Sequence, residues 1–298
     1  MAQELDCPPE KRSEGRMVLE SLIDPSRMEK TPREMFVFGL FYSTVGLFLS
    51  YFLFGRYASI LSIFLTTMPL IVIMYKTIRL EEGKDKKIYR ETFLIKEHGR
   101  ALSMFIYLFL GLLASYSLWC TVLPDPVVER LFSFQIQVIE SIEITGISST
   151  LGRTSVLMDI LINNFKVLFF CIIFSFLYGA GAIFILTLNA SVIGVAIGNI
   201  IRNSIAECAG LGHLESIQHY FQSFSISLCY LIHGIPEVSA YFLGALGGGI
   251  ISVAVANHDL GTKEFRHILI DSLDLLILAC ILLFMAGLIE VYVTPIFL

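Results

Sequence analysis

From about Met35 to the C-terminus the chain is a succession of apolar runs, several of them long enough to cross a ~30 Å hydrocarbon layer. Composition agrees. Hydrophobic residues make up 55% of the chain and charged residues 16%, against about 25% charged in a soluble domain. Most of those charges crowd into residues 1–34 and 76–100. The reading is an all-α, polytopic transmembrane helical bundle. A formal net charge of −5, with no basic tract interleaved with aromatics, excludes a nucleic-acid partner.

About seven membrane-embedded helices are expected, near 35–54, 58–75, 101–121, 163–188, 190–201, 224–255 and 267–293. The fifth is too brief to span at 1.5 Å rise per residue and reads as a short or broken crossing. Gly55-Arg56-Tyr57 allows only a tight antiparallel hairpin between the first two. Residues 122–162, opened by Pro124 and Pro126, are amphiphilic, and beside a membrane they suit surface-lying helices. Four regions follow: an amphiphilic lead-in (1–34), a transmembrane hairpin (35–75), a basic connector (76–100) and a transmembrane core (101–298).

Orientation follows from Lys and Arg near the helix ends. Residues 1–34 carry Lys11, Arg12, Arg16, Arg27, Lys30 and Arg33, and the connector carries Lys76, Arg79, Lys84, Lys86, Lys87, Arg90, Lys96 and Arg100. Both belong in the cytoplasm of a cell-membrane protein, with 122–162 outside; 203–222 is outside as well if 190–201 and its continuation cross, and inside if that segment is re-entrant. The lead-in has no apolar core and does not read as a cleavable signal peptide. The six cysteines show no CxxC and no zinc spacing, so no disulfide framework or metal site is expected.

Small residues recur every four positions: Ala190, Gly194 and Gly198, then Ala240, Gly244 and Gly248, with Gly179 and Gly181 of the same kind. Such ladders let helix backbones approach closely. They serve internal packing, the preferred reading, or a homo-oligomer interface.

Polar groups inside the apolar runs are Asn163, Asn164, Asn189, Asn199, His233, Glu237 and Glu290, with Asp271 and Asp274 near one end. A charge at the bilayer centre costs ~2.5–3.5 kcal/mol even on the gentle insertion scale. His233 and Glu237 share a helix face, and Pro236 between them removes a backbone donor. Asn163, Asn164, His233, Glu237 and Glu290 fall at comparable depth and form the expected intramembrane cluster. It either ties the bundle together or handles an ion, proton or polar substrate. A metal would need a third ligand from Glu290 or an asparagine. No catalytic residue and no cofactor is assigned.

Three places carry a family resemblance. Asn163-Asn164 leads a helix through Gly179 and Gly181 to Asn189 and Gly194. His233-Gly234 is followed by Glu237 and Ala240. The chain ends on Glu290-Val291-Tyr292-Val293-Thr294-Pro295. In their order and spacing these resemble the stage II sporulation protein M family over about residues 101–298. The resemblance implies a helical membrane protein with no established catalytic activity. The namesake anchors an engulfment complex with two secreted peptidoglycan-degrading partners, a role that nothing in this sequence calls for.

The expected function is therefore a non-enzymatic scaffold or assembly factor. It would meet membrane or extracytoplasmic protein partners through 122–162, 203–222 or the 76–100 connector, with the lipid bilayer as its solvent. An ion-coupled transporter or channel-like protein using the cluster is the alternative, and an intramembrane enzyme the weaker one. The chain has no nucleotide-binding loop, haem motif or nucleophile elbow.

Overall fold

The computed structural model describes residues 31–85, 91–148, 153–178, 181–208, 213–257 and 262–297, and among these every regular element is helical. The expected lead-in lies mostly outside the described residues, as do Lys86, Lys87 and Arg90 of the connector.

α1 (Arg33–Phe54) and α2 (Ala58–Asp85) are joined by a 3-10 turn, Gly55–Tyr57. Gly55 sits at φ 52°, a conformation that strains any residue with a Cβ, and it reverses the chain there. The two arms run antiparallel, as expected: a Cβ on Gly46 would collide with Thr66 Oγ1. α3 (Glu91–Val122) lies parallel to α1. A Cβ on Gly39 would strike the Leu108 carbonyl, and one on Gly111 the Phe36 carbonyl. Further along the same seam, Trp119 Nε1 donates to Thr44 Oγ1 at 3.0 Å.

α4 (Asp125–Ser148) is helical, in line with the expected surface-lying segment. It lies across the end of the bundle that holds the Gly55–Tyr57 turn. The Phe134 amide donates to Ser59 Oγ at 3.0 Å, and Ser59 Oγ donates to Gln135 Oε1 at 2.7 Å. Arg130 stacks over the Tyr51 ring at 5.6 Å. Gln135 is fully buried, and its amide reaches Ser191 Oγ at 3.3 Å.

The next two helices correct the sequence expectation. α5 runs Arg153–Tyr178 and α6 runs Ala182–Cys208. The break falls at 179–181 rather than at Asn189, so the crossing expected to be short is a full 27-residue helix. Arg202 explains why α6 continues past 201. Its guanidinium donates to the carbonyls of Cys120 at 3.0 Å and Leu123 at 2.6 Å and pairs with Asp125. Those carbonyls end α3 and would otherwise lack helical partners. A charge that looked like a stop signal is a cap for a neighbouring helix.

α7 (His213–Ala256) is 44 residues long and runs through Pro236 and Gly247–Gly249 without a break. The link between α6 and α7 is therefore confined to 209–212, much shorter than the expected 203–222. α8 (Lys263–Leu288) leads into a π-helical turn, Ile289–Val293, and a last turn, α9 (Thr294–Phe297).

Among the described residues six stretches are long and apolar enough to cross a membrane: Arg33–Gly83, His98–Val122, Thr154–Tyr178, Ala182–Ala206, Leu231–Ala256 and Phe265–Ile296. The first contains both arms of the hairpin. The chain is thus a multi-pass, all-helical membrane protein. α7 is its centre: within Leu231–Ala256, 83% of an 18-residue apolar segment is buried, against 22% of the corresponding segment of Thr154–Tyr178. Phe242 of α7 stacks on Phe105 of α3 with ring centroids 4.8 Å apart.

The small-residue ladders pack internally. A Cβ on Gly194 would stand 2.8 Å from Tyr116 Cβ, and one on Gly198 2.7 Å from Cys120 Cβ, so α6 presses on α3. On α7, a Cβ at Gly248 would lie 2.7 Å from the Ile172 carbonyl, and one at Gly244 would collide with Leu168 of α5. Gly181 belongs instead to the α5–α6 turn, where its Cβ would lie 2.8 Å from the Phe174 carbonyl. Gly179 lies outside the described residues.

The end opposite the Gly55–Tyr57 turn holds a second set of polar contacts. His98 Nδ1 meets Glu81 Oε2 at 2.6 Å, Asn257 Nδ2 donates to Glu82 Oε1 at 3.3 Å, and His267 lies 3.4 Å from Asp271. They join α3 to α2, α7 to α2, and one turn of α8 to the next.

Candidate functional site

The expected cluster centres on α7, because the central helix has least access to lipid and must find partners for its polar groups within the bundle. His233 and Glu237 occupy successive turns of it. α8 runs antiparallel to α7 and brings the C-terminal turns alongside. There His233 Nδ1 lies 3.1 Å from Thr294 Oγ1. The Thr294 hydroxyl donates to the Ile289 carbonyl at 3.2 Å. A hydroxyl has one proton, so when it is given to Ile289 the imidazole Nδ1 must be the donor to Thr294.

Glu237 takes its hydrogen bond from within α7. Tyr241, one turn on and 1% exposed, donates its hydroxyl to Glu237 Oε1 at 2.7 Å. Glu290 lies in the π-helical turn, where the extra residue per turn re-aims a side chain. The turn packs against α7, the helix that carries Glu237 and Tyr241.

The asparagine pair divides. Asn163 is exposed, whereas Asn164 faces inward at 6% exposure with its Nδ2 unpaired. They do not open their helix, as the sequence suggested, because α5 begins ten residues earlier at Arg153. The parallel register of α5 on α7, seen at Leu168–Gly244 and Ile172–Gly248, sets Asn164 opposite Ala240. That is about one helical turn deeper than Glu237.

His233 and Glu237 stand on successive turns of α7 and Glu290 on the π-turn packed against it, but no hydrogen bond joins any two of them; Asn164 lies one turn below Glu237, and Asn163 is on the exposed side of its helix. Two members escaped the sequence reading. Tyr241 stands four residues after Glu237, the spacing that lets two helical side chains meet. Thr294 sits inside the terminal motif that drew attention to Glu290. Among the described residues no trio of His, Cys, Asp or Glu is grouped to hold a metal ion.

The family model for stage II sporulation protein M matches residues 101–295. The chain belongs to the stage II sporulation protein M family. The match begins in α3 and ends just past the π-turn, so it takes in the whole cluster and both small-residue ladders. The chain is also similar to an uncharacterized protein of Methanocaldococcus jannaschii, 32% identical over 140 residues, covering 46% of this chain and 70% of the relative. No solved structure matches the chain. The hairpin α1–α2 lies outside the family match, packed on its first helix through Gly39 and Gly111.

Proposed function

We propose that the protein is a non-enzymatic scaffold or assembly factor of the cell membrane, whose half-buried polar cluster fastens the bundle. The observation that carries this is the wiring of the cluster. The His233–Thr294 and Tyr241–Glu237 contacts join the central helix to the C-terminal turns and to itself. Around them, glycine ladders bring α6 onto α3 and α7 onto α5 at backbone contact distance. A bundle fastened this way suits presenting fixed surfaces, of which α4 is the foremost. In the orientation supported by the Lys and Arg distribution, the N-terminus is cytoplasmic and α4 meets extracytoplasmic or membrane partners.

Co-purification from native membranes tests this reading. A defined protein partner should be recovered with the intact chain and retained when Glu237 is replaced by Gln. It should be lost when Glu129 and Glu140, both exposed on α4, are replaced by Lys. Recovery of no specific partner would overturn the scaffold reading.

Ion-coupled transport is the second reading, favoured by one observation: Glu237 and Glu290 are two acidic side chains within spanning segments, one on α7 and the other on the π-turn packed against it. It requires the Glu237→Gln protein to fold normally and fail in function.

A further inference from the structure

The helix least covered by the rest of the bundle carries a charge at mid-membrane. α5 turns Leu161, Asn164, Leu168, Cys171 and Ser175 inward, all of them buried. Its opposite face exposes Asp159, Asn163 and Lys166. At 100° per residue these three fall within an arc of about 60°, one stripe along the helix. Lys166 is twelve residues into the Thr154–Tyr178 span, roughly 18 Å from either end. Among the described residues none of the three has a hydrogen-bond or ion-pair partner. An ammonium group at that depth is too far from either interface for its stem to carry it there, and lipid offers it no acceptor.

We propose that a second copy of this chain covers the stripe, forming a twofold dimer through α5. Copies inserted in the same orientation and related by an axis along the membrane normal bring α5 against its own counterpart, each residue at its own depth. Such an interface must be self-complementary. This stripe is: it carries a cation, an anion and an amide on one face. Helical side chains lean toward the N-terminus of their helix, so Lys166 leans toward the level of Asn163 and Asp159 on the other copy. The Asn163 amide can accept from the ammonium group and donate to the carboxylate, linking both charges across the seam twice over. Beyond Lys166 the same face continues as Phe170 and Leu177, both exposed, which supply apolar contact along the rest of the crossing. A foreign helix bearing a single carboxylate would match Lys166 but would leave Asp159 unpaired.

The test uses the full chain in native membranes, with Cys7, Cys208, Cys229 and the exposed Cys280 replaced by Ser. Asn163→Cys should give a disulfide-linked dimer on mild oxidation, and Ile277→Cys, exposed on α8, should not. In liposomes, single-molecule photobleaching should show two-step traces for the wild type and loss of the second step for Lys166→Glu. Lys166→Arg, which keeps a cation at the same depth and leaning the same way, should retain it. Failure of position 163 to cross-link overturns the proposal, as does an adduct to a different protein. A wild-type protein that bleaches in one step does the same.

Discussion

The Tyr241 hydroxyl donates to Glu237 Oε1 at 2.7 Å across one turn of α7. The buried Tyr241 and the half-buried Glu237 therefore depend on each other, and they respond differently to substitution. Glu237→Gln keeps an acceptor for Tyr241 and should leave thermal stability in detergent nearly unchanged. Glu237→Leu and Tyr241→Phe each strand the remaining group and should cost about 1–3 kcal/mol, read as a lower Tm. Equal stability for all three variants would mean that the bond does not hold the helix.

Arg202 makes a separate contribution at the end of α3. Replacing it by Met keeps the stem but leaves the Cys120 and Leu123 carbonyls without its donors. The expected cost is about 1–3 kcal/mol. Hydrogen exchange should quicken around 120–125, where those carbonyls end the helix, with little change in α1. Uniform exchange across the protein would contradict a local capping role.

The glycines divide into two groups. Gly198→Leu and Gly248→Leu would each drive a side chain into a neighbouring helix and should destabilise by about 1–3 kcal/mol. Gly234 also lies inside α7, but a Cβ there meets nothing within 4 Å. Gly234→Ala should therefore raise Tm slightly, by the roughly 0.5–1 kcal/mol that alanine gains over glycine in a helix interior. Thermal melts of the three variants check the contrast.

Much of this architecture was legible because apolar length and turn chemistry speak locally. Gly55-Arg56-Tyr57 could only be a tight reversal, and the chain folds back there. The break between α5 and α6 was harder, because Asn189 is the more conspicuous interruption of an apolar run than Gly179–Gly181. Asn189 stays inside its helix, and the turn comes before it, where Gly181 leads into Ala182. Lys166 escaped notice for a related reason: hydropathy averaged over a window absorbs one charge among phenylalanines. In the cluster, His233, Glu237 and Glu290 were conspicuous as ionisable groups in apolar context. Tyr241 and Thr294 were not, since a tyrosine or threonine in a membrane helix needs no explanation until its partner is seen. Which asparagine faced inward depended on the true start of α5, and that was ten residues off.

Topology can be read directly by cysteine labelling in intact cells. With the N-terminus inside, a single cysteine at position 140 should label from outside and one at position 86 only after permeabilisation. A cysteine at 215, in the first turn of α7, should share the outward side with 140, because the full-length α6 ends there. Labelling of 140 only after permeabilisation would reverse the assignment of every crossing.

The decisive contrast is between a cluster that fastens and a cluster that conducts. Proteoliposomes holding the purified chain, loaded with a pH-sensitive dye and placed under a potassium diffusion potential, measure it. A fastening cluster gives proton flux equal to that of protein-free vesicles, for the wild type and for Glu237→Gln alike. Flux above that baseline in the wild type, abolished in a folded Glu237→Gln protein, would contradict the scaffold reading and make Glu237 and Glu290 part of a proton path.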